Sequence, residues 1–214
     1  MTTSALDLAS LLCSRLCHDM LSPIGALSNG LELLADEKDP EMRARCFELL
    51  EQSARISADK LKFFRLAFGA AGGFGELVSV AEARDLVDAL VANNPRITTE
   101  WALANEAMPK HAIKTLLNFA LMGMDALPRG GMLSLAAEQR DGASEIVVRA
   151  EGARIAFDRD IGRALEGNLA EKDISSRTAP AVMLAALAYE VGGQLQYMLD
   201  DNALILGGML PDPV

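Results

Sequence analysis

The first seventy or so residues carry a hydrophobic repeat that a long amphipathic helix satisfies. Leu16, Met20, Ile24, Leu27, Leu31 and Leu34 follow one another at spacings of three and four, so on a helix they line one face. At about 100° per residue, His18 stands roughly 200° from both Leu16 and Met20, pointing away from that seam. Helical spacing from His18 leads on to Ser22, Gly25 and Asn29, a stripe of small or polar side chains. Core packing explains such a histidine poorly. Presenting it to another protein explains it well.

The first helix is expected from about Asp7 to Ala35, followed by the polar loop Asp36-Glu37-Lys38-Asp39. Asp39 offers an N-cap and Pro40 suits the first helical position. The second helix then carries Cys46, Leu50, Ile56, Leu61, Phe64 and Ala67 and stops at Gly69. Two helices of about 28 residues, each roughly 42 Å long, leave much apolar surface wet. The hairpin is therefore expected to dimerise into a four-helix bundle with a shared core. A monomer in which the rest of the chain covers the hairpin is the alternative.

Gly69 to Gly75 reads as a linker, dividing a hairpin domain (1–70) from a second domain (76–214). Ser79 and Glu82 form a capping box for a helix ending near Asn93. Arg96 to Leu103 alternates as a strand, and Pro109 opens a helix that runs to Leu127. Met132 to Arg140 and Ser144 to Ala150 flank Asp141-Gly142 as a hairpin. Helices follow from Asp158 to Glu166 and from Thr178 to Val191. Gln194 to Leu199 and Ala203 to Leu206 then close as a second hairpin. This order describes an α+β sandwich with helices on one face of a sheet.

Composition excludes some partners. A net charge of −10 opposes nonspecific contact with nucleic acid or an anionic membrane surface. No apolar run approaches the ~20 residues of a membrane span, and the start of the chain lacks the basic region of a secretion signal. Three cysteines cannot all pair, which suits a reducing cytoplasm. Cys13, Cys17 and His18 crowd together, but His18 projects about 100° from Cys17 and no second Cys/His pair occurs. The two cysteines are expected to be buried and structural. His111, in the first turn of the Pro109 helix, is expected to be a surface or capping residue.

His18-Asp19 with Pro23-Ile24 resembles the His-acid…Pro-hydrophobic box of dimeric sensor histidine kinases, and the similarity extends over nearly the whole chain. Asn118-Phe-Ala-Leu-Met122-Gly-Met-Asp125 is similar to the kinase N-box, with Met122 where a metal-binding asparagine would stand. Ala150-Glu-Gly152-Ala-Arg154 falls where an Asp-x-Gly-x-Gly motif reads adenine; the acid is Ala150 and the last glycine is Arg154. Thr178-Ala-Pro180-Ala-Val-Met occupies the second glycine box. Adenine needs a carboxylate acceptor, and a Mg²⁺-triphosphate needs hard oxygen ligands and free backbone amides. Ala150, Met122 and Pro180 supply none of these.

A His-bearing hairpin joined to a retired kinase domain, here a degenerate Bergerat sandwich, resembles the ChpT-type histidine phosphotransferases. The resemblance implies a homodimer in which His18 takes a phosphoryl group from the receiver domain of a hybrid histidine kinase. It would pass that group to response regulators such as CtrA-like and CpdR-like proteins, in a relay tied to cell-cycle regulation. No cofactor of its own is implied, because the receiver brings the Mg²⁺. No nucleic acid or membrane is expected among its partners.

A neutral imidazole is nucleophilic at cytosolic pH, and phosphoryl transfer needs in-line positioning and charge neutralisation. Asp19 either orients the ring or is ordinary surface charge. Arg15 and Lys60 are candidates to attract the receiver's acidic pocket. Leu21, Ser22, Ile24, Gly25, Ser28 and Asn29 are candidates for the docking patch, with core packing an equal reading for Ile24. A pseudokinase scaffold that docks receivers without carrying phosphate is the competing class.

Overall fold

In the computed structural model, residues 4–69 and 77–212 are described. All of the glycine linker except Gly69 lies outside them. Helix α1 (Ala5–Asp36) begins where Ser4 Oγ accepts the Asp7 amide at 3.1 Å. Helix α2 (Pro40–Ala67) begins where the Asp39 carboxylate accepts the amides of Glu41 and Met42, both at 2.9 Å. Arg43 ties the connection shut, its Nη1 donating to the carbonyls of Leu34 and Glu37. The hairpin thus forms as its caps and periodicity require.

Beyond the linker come β1 (Leu77–Ser79), α3 (Val80–Ala92), β2 (Ile97–Leu103), β3 (Ala107–Pro109) and α4 (Lys110–Asp125). They are followed by β4 (Gly131–Arg140), β5 (Ala143–Glu151), α5 (Arg159–Leu165), α6 (Ala179–Glu190), β6 (Gln194–Leu199) and β7 (Ala203–Pro211). Five strands make one sheet in the order β2-β4-β5-β7-β6; β2 and β4 pair in parallel and the other pairs are antiparallel. The β4–β5 turn holds Asp141 at φ 53° and Gly142 at φ 78°, both left-handed, as a two-residue turn of this hand demands. Sequence periodicity misses the short antiparallel β1–β3 pair and stops β7 five residues early. The α+β architecture is as expected.

Residues alternate in burial along β5, so Ile146, Val148 and Ala150 face inward while Val147 and Arg149 face water. Ile113, Leu116, Leu117 and Ala120 of α4 pack into this core. The opposite flank of α4 receives the end of α2, whose Phe63, Phe64, Leu66 and Ala67 belong to the same continuous core. Each buried phenylalanine ring contributes about 1.5–3 kcal/mol.

Asn118 seals that joint. It is fully buried, and its Nδ2 donates to the Ala67 carbonyl at 3.2 Å and to the Lys114 carbonyl at 2.8 Å. Ala67 is the last residue of α2, where carbonyls lack helical partners, so an asparagine from α4 caps the neighbouring helix.

Leu61 on the second helix is half exposed in the single chain, as are Ile24 and Leu31 on the first, in keeping with the apolar surface the hairpin alone is expected to leave wet. Two sequence expectations need correction. Cys13 and Cys17 are exposed and only Cys46 is buried. His111 is neither surface nor cap: it is buried beside the end of β7, and its Nε2 has no hydrogen-bond partner among the described residues. Tertiary packing decides both, because helical spacing fixes which residues share a face and not what covers it.

Asn118→Ala should cost about 1–3 kcal/mol and lower the melting temperature by several degrees, read by thermal denaturation. Burial pulls the His111 pKa below its ordinary value, a pull that the Asp212 carboxylate and the Pro211 backbone only partly offset. A depressed histidine pKa means that protonation favours the unfolded chain. Stability should therefore be full above about pH 6.5 and fall as pH drops below it. Denaturant titrations across that range should show the decline, and His111→Gln should flatten it.

Candidate functional site

His18 lies in the middle of α1, five residues before Pro23. A proline inside a helix has no amide to offer the carbonyl four residues back, here that of Asp19. Lys60 Nζ from α2 donates to that carbonyl at 3.0 Å and replaces the lost bond. Pro23 itself is buried within the hairpin, so the helix continues unbroken. Lys60, expected to offer its charge to a partner, is instead half-buried and engaged at the residue that follows His18.

The side chain of Asp19 is 15% exposed and serves two neighbours. Its Oδ2 accepts from Arg15 Nε at 2.7 Å, and its Oδ1 lies 3.2 Å from His18 Nδ1. Arg15 reaches on to Asp125 at the end of α4, Nη2 to Oδ2, at 3.0 Å. Burial lowers the Arg15 pKa, but the Asp19 hydrogen bond and both carboxylates outweigh it and leave the value raised. Arg15 is therefore not a free surface cation. Asp125, quoted in the N-box without a role, is the residue that sequence reasoning missed, since nothing local links positions 110 residues apart.

The imidazole of His18 is 83% exposed. Around it on the helix wheel stand Leu21, Ser22, Ser28 and Asn29, all exposed. Gly25 completes the face, and a Cβ added there would meet nothing within 4 Å. Ile24 stands apart from this group, about 120° round the helix from His18. The site is a convex helix face that presents one nucleophile.

The region corresponding to a kinase nucleotide site is different in kind. Met122, Phe157, Arg177 and Pro180 help to enclose a cavity of about 50 Å³. Small-molecule sites usually span roughly 300–1,000 Å³. Ala150 is buried in the core, and Asn118 is turned toward the hairpin. The residues present do not fit a Mg²⁺-nucleotide. Among the described residues no cluster of three His, Cys, Asp or Glu side chains could hold a metal ion, and no helix is long and apolar enough to cross a membrane.

Comparison with known proteins agrees with this geometry. The family model for the histidine phosphotransferase C-terminal domain matches residues 80–203, from the start of α3 to the start of β7. The chain belongs to the histidine phosphotransferase family. It is 36% identical over 192 residues to the protein phosphotransferase ChpT of Brucella abortus (strain 2308), covering 89% of this chain and 90% of that one. A solved structure of a bacterial phosphotransferase superposes with a TM-score of 0.84 at 33% identity, covering 97% of this chain and 98% of the other. The activity is protein phosphotransfer and its setting a phosphorelay.

Proposed function

We propose that His18 carries the phosphoryl group between two receiver domains and that the chain does so without ATP. Its Nε2 attacks the aspartyl phosphate of a hybrid kinase receiver, forming an N–P bond as the acyl O–P bond breaks and the aspartate leaves as a carboxylate. The reverse step, with the aspartate of a response regulator as nucleophile, delivers the group. CtrA-like and CpdR-like regulators are the acceptors that the family resemblance suggests. The observation that carries this reading is the ring itself, open to solvent on a convex face while Asp19 sits on its Nδ1.

A nucleophile without a pocket needs a partner that brings its own. Charge neutralisation for the loose transition state then comes from the receiver's Mg²⁺ and lysine rather than from this chain. Leu21, Ser22, Gly25, Ser28 and Asn29 form the docking surface, with Gly25 leaving room for close approach of a partner helix. Arg15 and Lys60 shape that surface from within through Asp19.

The hairpin also has a second exposed strip. Cys17, Ile24 and Leu31 on α1, and Phe47, Ala54 and Leu61 on α2, each recur in steps of seven and are all exposed. Because the helices run antiparallel, the two strips fall on one side of the hairpin, about 120° round α1 from His18. Heptad spacing on two adjacent helices is the pattern of a four-helix bundle seam. We assign it to a homodimer working in the cytoplasm, in which Cys17 becomes buried.

Radiolabel from a phosphorylated receiver should appear on the native chain, in acid-labile form and without added ATP, and be absent from His18→Ala. Complex formation without label on the native chain would favour the docking scaffold. ATP with Mg²⁺ should leave the melting temperature unchanged; a clear rise would overturn the nucleotide-free reading. Paired Ile24→Glu and Leu61→Glu changes should halve the mass seen by light scattering, because desolvated unpaired carboxylates oppose the seam.

A further inference from the structure

We propose that Asp125 is a positioning residue for the phosphoacceptor, acting through Arg15 and Asp19 on the tautomer of His18. The inference rests on the reading of His18 as the phosphoryl carrier and extends it to a residue of the second domain. Four side chains form an unbroken line: Asp125 Oδ2 to Arg15 Nη2 at 3.0 Å, Arg15 Nε to Asp19 Oδ2 at 2.7 Å, and Asp19 Oδ1 to His18 Nδ1 at 3.2 Å. The middle of the line is sheltered, with the Arg15 and Asp19 side chains only 18% and 15% exposed.

Each link has a directional consequence. The guanidinium is a flat fork whose donors point in fixed directions. With only Asp19 as partner, an arginine four residues away on the same helix swivels about a single contact. Asp125 engages Nη2 from another element, so the plane of the fork is held at two points. The fork then sets the Asp19 carboxylate, with Oδ2 toward Arg15 and Oδ1 toward the ring. A carboxylate facing Nδ1 favours the tautomer with its proton there and leaves the Nε2 lone pair outward. The Asp19 backbone is fixed independently, because Lys60 holds its carbonyl.

The anchor at the far end is firm. Asp125 closes α4, whose preceding residues Leu116, Leu117, Phe119 and Ala120 are buried in the core. The C-terminal domain thereby reaches the nucleophile without touching it. Its contribution is orientation, separable from any contact it makes with a receiver.

The test uses the full-length chain with Asp125→Asn, which preserves shape and removes the charge. Two readouts are needed: the His18 tautomer from ¹⁵N imidazole shifts followed across a pH series, and single-turnover transfer from a phosphorylated receiver at varied receiver concentration. The Nδ1–H fraction of His18 should fall in Asp125→Asn. The maximal transfer rate should drop by about twofold to fivefold, the scale of one ion pair with an exposed partner. The receiver concentration for half-maximal rate should stay unchanged, and Asp125→Glu should recover part of the rate. A wild-type tautomer and rate in Asp125→Asn would overturn the proposal, as would a change confined to the half-maximal concentration, which would make Asp125 a docking residue. A native chain that accepts no label would instead defeat the reading of His18 as carrier, while the tautomer measurement would still decide whether Asp125 positions the ring.

Discussion

The structure depends on the burial of the end of α2 in the core of the C-terminal domain. Phe63, Phe64, Leu66 and Ala67 are hairpin residues by sequence and domain residues by packing. Because they cannot leave that core cheaply, the hairpin and the sheet domain hold a fixed angle. Asn118 adds a hydrogen bond at the same joint, satisfying a carbonyl that the helix end would otherwise leave bare. The contact of Arg15 with Asp125 presupposes this arrangement.

Helix α4 spends two of its polar residues on the joint with the hairpin. Asn118 caps α2 and Asp125 pairs with Arg15, so both polar side chains address the hairpin. Met122, Phe157 and Pro180 line the small cavity beside it. A buried asparagine and an ion-paired aspartate are costly unless partnered, and the Asn118 Nδ2 and the Asp125 carboxylate each find a partner on the hairpin.

Much of this was legible from the chain itself. Asp39 and Ser79 mark helix starts because a side-chain oxygen is the local solution to orphan amides, and Asp141-Gly142 marks a turn because few residues tolerate its backbone. The single helical seam was the weaker inference. Leu16, Leu27 and Leu34 are half-buried within the chain while Ile24 and Leu31 are exposed, since spacings of three and four spread over an arc wide enough to serve two interfaces. His111 and Asp125 were illegible for another reason: their surroundings are built from segments distant in sequence. The candidate site divides in the same way. His18, Asp19 and Pro23 announce themselves as a motif, whereas the geometry that ties Asp19 to α4 exists only after folding.

The openness of His18 has a thermodynamic corollary. A histidine enclosed in its own pocket would bias the N–P bond, sheltering one state and penalising the other. On the role proposed for His18, an imidazole standing in solvent adds little of either, so the phosphorylated chain would be a near-neutral store whose filling mirrors the donors and acceptors around it. Flux through such a carrier reverses when their ratio reverses. The same openness would leave that N–P bond within reach of water, so the store would drain slowly whenever both partners are absent, and the signal it holds would expire.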